Sequence, residues 1–84
     1  MQPNHGTKFE LLELSVWPDE NGWRTARVAV DGIPSIPFQF HQSVVEEFKT
    51  DDELIDYVMR QGANMVERYG DGRYPKNFDE ERAN

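Results

Sequence analysis

The chain has 84 residues, no cysteine and a formal net charge of −7 at pH 7. This length suits one small domain, and the lack of cysteine excludes a disulfide framework, a thiol nucleophile and a thiolate metal site. The negative charge argues against broad binding of a nucleic-acid phosphate backbone, which needs clustered Lys and Arg.

Two segments in which apolar residues alternate, residues 9–17 and 23–30, predict the strands of a β-hairpin. Between them, Asp19, Asn21 and Gly22 suit a type I turn followed by a left-handed residue, which Gly22 supplies without a Cβ clash. The predicted loop therefore comprises residues 20–22, with Asp19 opposite Trp23. A two-residue turn at Asn21-Gly22 is the alternative.

The apolar pattern favours the longer loop. The two-residue turn would place Val16 opposite Arg27, although strand partners must share a face of the sheet. With the longer loop three inner pairs are all apolar: Val16 with Ala26, Leu14 with Val28, and Leu12 with Val30. The outer face then carries Phe9, Leu11, Glu13, Ser15 and Trp17 from the first strand and Trp23, Thr25, Arg27 and Ala29 from the second.

A third extended segment follows a break at Gly32 and Pro34. In it, Ile36, Phe38 and Phe40 alternate with Pro37, Gln39 and His41. Pro37 cannot donate a ladder hydrogen bond, which favours an edge strand and discourages strand addition by another molecule.

From Ser43 the apolar period changes from two to about 3.6, which indicates helix. The spacing of Ser43 and Glu46 predicts a short helical turn that ends near Phe48. A second capping box predicts a long helix from about Asp51 to Tyr69, which Gly70 ends. Its apolar stripe comprises Leu54, Ile55, Val58, Met59, Gly62, Met65, Val66 and Tyr69, and a glycine on that stripe predicts close approach to the sheet.

These elements predict an α+β fold of two layers. A three-stranded antiparallel sheet, made of the hairpin and a proline-containing edge strand, carries one main C-terminal helix on one face. The domain is expected to span residues 8–72, between a flexible lead of residues 1–7 and a polar, partly disordered tail of residues 73–84. Residues 1–5 lack the basic start of a signal peptide, and no apolar run approaches the ~20 residues of a membrane span, so a cytoplasmic protein is expected.

No constellation in the sequence predicts catalysis. His5 and His41 lack the spacing of metal ligands. Asp52 and Asp56 share a helical face, but they are expected to face solvent, where nothing separates their pKa values for acid–base work. The glycines around Asp71 lack the strand-to-helix context and the lysine of a phosphate loop. We therefore expect no enzyme, no cofactor and no metal site.

The outer face of the sheet is the first candidate binding surface, because a single helix covers one face only. The candidate residues on it are Phe9, Leu11, Trp17, Trp23 and Arg27. Trp and Arg are enriched in interface hot spots. Three interpretations stay open: the tail covers this face through Tyr74 and Phe78, the face binds a second copy or another protein, or it is simply exposed with Arg27 stacked on a ring. We predict a small protein-interaction or homodimerising domain, with neither membrane nor direct nucleic-acid binding.

The second candidate surface is acidic. Around the start of the long helix, with Lys49 as the only base, lie Glu46, Glu47, Asp51, Asp52, Glu53 and Asp56. Helix capping and solubility account for these carboxylates. The alternative function is an acidic regulator or inhibitor, antitoxin-like or imitating nucleic acid, that docks on a basic partner through this patch.

The order hairpin, third strand and helix, with Phe48-Lys49-Thr50-Asp51-Asp52-Glu53-Leu54 opening the helix, resembles short bacterial proteins without an assigned function. The layout also looks like the β-β-β-α half of a double-stranded-RNA-binding-type fold, as used by HicB-type antitoxins. The resemblance covers roughly residues 8–69. It implies the β-β-β-α order and a bacterial or mobile-element origin, and it transfers no functional residue to this chain.

Overall fold

The computed structural model describes residues 6–74. In chain order these residues form strands β1 (Phe9–Leu14), β2 (Trp23–Val30), β3 (Ile33–Pro34) and β4 (Phe38–His41), then helices α1 (Gln42–Val45) and α2 (Asp51–Tyr69). The strands make one antiparallel sheet, and α2 packs chiefly against β2. The predicted α+β class is confirmed. Within residues 6–74, neither helix is long and apolar enough to cross a membrane.

Strand β2 lies at the centre of the sheet. β1 pairs with one of its edges, while β3 and β4 both pair with the other, at Ala29↔Pro34 and Ala26↔Phe38 respectively. The predicted third strand is therefore present as β4, although it begins at Phe38 and not at Ile36. β3 is an additional short strand at Ile33–Pro34, where a break was predicted, and Pro37 lies between the two strands. Residues 35–37 do not form a strand with β2. A proline at position 37 therefore removes no hydrogen-bond donor from the ladder.

Buried Ser35 holds the break against β2. Its backbone N–H donates to the Val28 carbonyl at 2.7 Å, and its Oγ accepts from the Val28 N–H at 3.1 Å. Its carbonyl accepts from Arg27 Nε at 3.1 Å. One serine thus replaces the ladder bonds that a continuous strand would supply.

The hairpin loop has the predicted form. Asp19 N–H donates to the Trp23 carbonyl at 2.8 Å, and Gly22 N–H donates to the Asp19 carbonyl at 3.0 Å. Gly22 has φ +88°, the left-handed region that the turn requires. The loop of residues 20–22 is confirmed.

The predicted strand register is wrong. Leu14 pairs with Ala26, Leu11 with Val28 and Phe9 with Val30. Nearer the loop, Asp19 pairs with Trp23 as predicted, but Ser15 N–H donates to the Thr25 carbonyl at 2.9 Å. Three residues after β1, 16–18, therefore lie opposite one residue of β2, position 24, and form a bulge. Further along, Leu12 is an extra residue in a bulge between Leu11 and Glu13.

Side-chain hydrogen bonds explain the first of these departures. Ser15 Oγ accepts from the Thr25 N–H at 3.0 Å. Arg24 donates to the Ser15 carbonyl through Nε and Nη2, at 3.1 and 2.8 Å. Such side-chain bonds to the backbone compete with ladder bonds, and here they take the place of regular pairing at residues 16–18. Val16, which was predicted in the core, is 70% exposed.

Because strand partners share a face, the new register also moves side chains across the sheet. Phe9 and Leu11 lie on the face of Val30 and Val28, which is the helix side. Their predicted place on the outer face is wrong.

Helix α2 has the predicted bounds. Thr50 Oγ1 accepts from the Glu53 N–H at 3.3 Å, and Glu53 Oε1 accepts from the Lys49 N–H at 3.0 Å. Gly70 ends the helix with φ +78°. The short turn before α2 is also present as α1, but its N-cap is His41 and not Ser43: His41 Nδ1 accepts from the Ser43 N–H at 3.2 Å.

The core lies between β2, β4 and α2. Its buried apolar residues are Ala26, Val28, Phe38, Phe40, Leu54 and Val58. Gly62 brings α2 down onto β2, because a Cβ at this position would overlap the side chain of Val28. The predicted close approach of Gly62 to the sheet is confirmed, and it sets where the helix lies over the strands.

Candidate functional site

The structure does not bring the five predicted surface residues together on one face. Phe9 and Leu11 lie on the helix side of β1, and Trp17 lies in the bulged segment after β1. Trp23 and Arg27 lie on the outer face, since they alternate with Arg24, Ala26 and Val28 along β2.

On the outer face, Trp23 packs against another part of the fold. Its ring meets the ring of His41 edge-on, with centroids 4.9 Å apart and an interplanar angle of 82°. His41 Nε2 lies 3.0 Å from the Asn21 carbonyl, and Gln42 N–H donates to the Gly22 carbonyl at 2.8 Å. These contacts join the hairpin loop to the start of α1, so Trp23 and His41 serve the fold here.

Arg27 is half-buried, and its Nε bonds the Ser35 carbonyl. Among residues 6–74, the guanidinium that lies over a ring is that of Arg24 and not that of Arg27. The guanidinium carbon of Arg24 lies 5.5 Å from the centroid of the Phe40 ring, on the helix side.

Exposed apolar side chains concentrate instead along β1 and the segment after it. Of the eight large exposed hydrophobic residues within positions 6–74, five fall between positions 9 and 17. We call these five the β1 strip: Phe9, Leu11, Leu12, Val16 and Trp17. Trp17 is 80% exposed. Scattered single apolar residues are ordinary on a surface, whereas a concentration in one stretch of chain points to a contact.

Two members of the β1 strip were missed because alternation assigned Leu12 and Val16 to the core. One signal in the sequence pointed the other way. The predicted register places Arg24, on the inner face of β2, opposite Pro18. That pair is the one inner pair in which the two partners are not both apolar. In the structure this is the point at which the regular ladder fails.

The strip borders an open sheet edge. Within the described residues, β1 has β2 as its strand partner and no strand on its other side. Asp31 N–H donates to the Lys8 carbonyl at 2.8 Å, and Lys8 N–H donates to Asp31 Oδ1, also at 2.8 Å. Because inward and outward positions alternate in an antiparallel ladder, the backbone N–H and C=O of Phe9 and Leu11 point away from β2.

The chain after α2 returns to the sheet through Gly72, whose N–H donates to the Pro34 carbonyl at 2.6 Å. Asp71 accepts hydrogen bonds from the side chain and backbone N–H of Arg73, and these bonds hold the pKa of Asp71 below its usual value. Tyr74 is 76% exposed. Phe78, the other residue predicted to cover the outer face, lies outside the described residues.

All six residues of the acidic patch are exposed: Glu46, Glu47, Asp51, Asp52, Glu53 and Asp56. Glu53 completes the capping of α2, and Asp56 pairs with Arg60 one turn later. Asp51 and Asp52 lie in the first turn, where carboxylates complement the helix dipole. Docking of a basic partner on this patch stays a prediction.

Two open grooves run beside the start of α2, one lined in part by Tyr57 and Arg60 and the other by Val45 and Lys49. No group of three His, Cys, Asp or Glu side chains within residues 6–74 is placed to hold a metal ion. Comparison of the chain with protein-family models, with curated proteins and with solved structures found no match.

Proposed function

We propose that this chain is a protein-interaction domain and that the β1 strip is its contact surface. The observation that supports the proposal is the concentration of exposed apolar side chains between positions 9 and 17. The proposal keeps the predicted class of function but moves its surface from the outer sheet face to β1. It also keeps the expected cytoplasmic setting, bacterial or mobile-element origin and lack of enzymatic activity.

Trp17 is the central residue of this proposal. An aromatic ring of this size removes roughly 150–250 Å² from water when a partner covers it. Hot-spot tryptophans in interfaces are worth about 2 kcal/mol or more, which corresponds to about thirtyfold in affinity. The partner is another protein or a second copy of the chain, and both are accommodated by an apolar surface.

The test is affinity capture from cells of the native host, combined with light scattering for self-association. Trp17→Lys should lower the recovery of any specifically bound protein by about thirtyfold. Tyr74→Lys is the matched control, because Tyr74 is exposed to nearly the same degree, 76% against 80%, and lies outside the strip. Equal recovery with both variants would contradict the proposal.

A further inference from the structure

The open edge of β1 defines the kind of partner that this surface suits. On the basis of the proposed function, we infer that β1 binds an extended segment of another protein, and that apolar and basic residues alternate along this segment. The segment would pair with β1 as an additional strand of the sheet. Main-chain hydrogen bonds would supply affinity, and the alternating side chains would supply selectivity.

The backbone of β1 is suited to strand addition. Phe9 and Leu11 direct their N–H and C=O groups outward, and the strand spans six residues without a proline. The opposite edge is a poor template, because β3 and β4 are short, are separated by a break and include or adjoin Pro34 and Pro37. Strand addition is therefore directed to one side of the sheet.

The side chains of β1 set the pattern of the partner. On the helix side, Phe9 and Leu11 offer apolar contacts. On the outer side, Glu10 pairs with Ala29, and Glu13 pairs with Arg27, whose Nε is bonded to a carbonyl. Neither glutamate has an ion-pair partner among residues 6–74. An added strand with Lys or Arg on its outer side would match these two carboxylates across the ladder.

The same charges disfavour a second copy of the chain. Pairing β1 with another β1 would place Glu10 and Glu13 directly or diagonally across from identical carboxylates, which is destabilising. Two chains with a formal charge of −7 each would also repel one another. The partner at this edge is therefore a different protein, which supplies a strand of alternating basic and apolar residues.

The test uses a synthetic six-residue peptide, Lys-Val-Lys-Ile-Lys-Val with blocked ends, titrated into the full chain and followed by amide exchange. Binding should slow exchange at the N–H groups of Phe9 and Leu11 by about tenfold or more, because these groups gain acceptors. A peptide of the same composition in two blocks, Val-Ile-Val-Lys-Lys-Lys, should give no such protection. Protection by both peptides, or by neither, would overturn the inference.

A pair of variants separates the backbone from the side chain. Leu11→Pro removes an outward N–H that β2 does not use, and Leu11→Ala removes the side chain but keeps that N–H. Leu11→Pro should bind the alternating peptide about tenfold more weakly than Leu11→Ala, the loss expected for one hydrogen bond. Equal binding would overturn strand addition. A doubled mass of the wild type that Leu11→Pro abolishes would overturn the inferred partner, because the occupant of the edge would then be a second copy.

The two proposals fail in different ways. If Trp17→Lys impairs capture while the peptide leaves Phe9 and Leu11 exchanging freely, the β1 strip is a contact surface that does not add a strand. If Trp17→Lys and Tyr74→Lys capture equally, the strip itself is not the surface. The amide-exchange measurement uses the wild-type chain, so it decides the inference even if Leu11→Pro does not fold.

Discussion

Asp19 holds the hairpin loop with its side chain as well as with its backbone. Its Oδ1 accepts from the Trp23 N–H at 2.9 Å and from the Asn21 N–H at 2.8 Å. These bonds favour the charged carboxylate and lower the pKa of Asp19. A group whose pKa is lower in the folded state stabilises the fold above its unfolded pKa, about 3.9 for Asp, and this contribution is lost as pH falls through the folded value.

Asp19→Asn should therefore lower the free energy of unfolding at neutral pH, because the amide is a weaker acceptor for the two N–H groups. The difference between wild type and variant should be constant above about pH 5 and should shrink below about pH 4, as the wild-type carboxylate is protonated. Urea unfolding monitored at several pH values measures it. Glu20→Gln, a neighbouring change without these bonds, is the control, and a pH-independent difference for Asp19→Asn would count against the argument.

At the scale of elements, the loop, the long helix and the order of strands could be predicted because each depends on local chemistry. Gly22 requires a left-handed turn, and Thr50 and Gly70 bound a helix. The register of β1 could not be predicted from alternation. The register depends on the hydrogen bonds that Arg24 and Ser15 make across the hairpin. These bonds join residues that are far enough apart in the chain that a pattern of apolar and polar positions does not encode them.

The contact of α2 with β2 gives a second prediction. Gly62→Ala would gain roughly 1 kcal/mol in helix propensity. The new Cβ would, however, overlap the side chain of Val28, which is fully buried. Overpacking typically costs about 1–3 kcal/mol, so after the gain in helix propensity we expect a net destabilisation of up to roughly 2 kcal/mol.

Chemical unfolding of a double-mutant cycle checks this account. Val28→Ala removes the γ-methyl group that the new Cβ would overlap most. The double variant should therefore be more stable than the sum of the two single changes by about 1 kcal/mol or more. Asn64→Ala, at an exposed position of the same helix, reports the propensity gain alone. Additive single changes would mean that α2 does not approach β2 as closely as described.

At the scale of the whole molecule, composition pointed to a binding surface but not to its place. Of the β1 strip, Phe9, Leu11 and Trp17 were identifiable as candidates from the sequence, whereas Leu12 and Val16 were not. Their grouping depends on which face each one occupies, and a shift of the register by an odd number of residues moves a side chain to the opposite face. The Leu12 bulge makes that shift, so Phe9 and Leu11 separate from Trp23 and join the helix side.

Charge then predicts how whole molecules associate through this edge. Wild type should be monomeric in light scattering across a concentration series, because Glu10 and Glu13 of two copies would repel. A chain carrying both Glu10→Lys and Glu13→Lys should also be monomeric by itself, whereas an equimolar mixture of the two chains should form a heterodimer. Added salt should weaken that heterodimer, since exposed charges are screened over about 10 Å at 0.1 M. A wild-type dimer would show that apolar contacts along β1 outweigh its charges, and would make a second copy the natural partner.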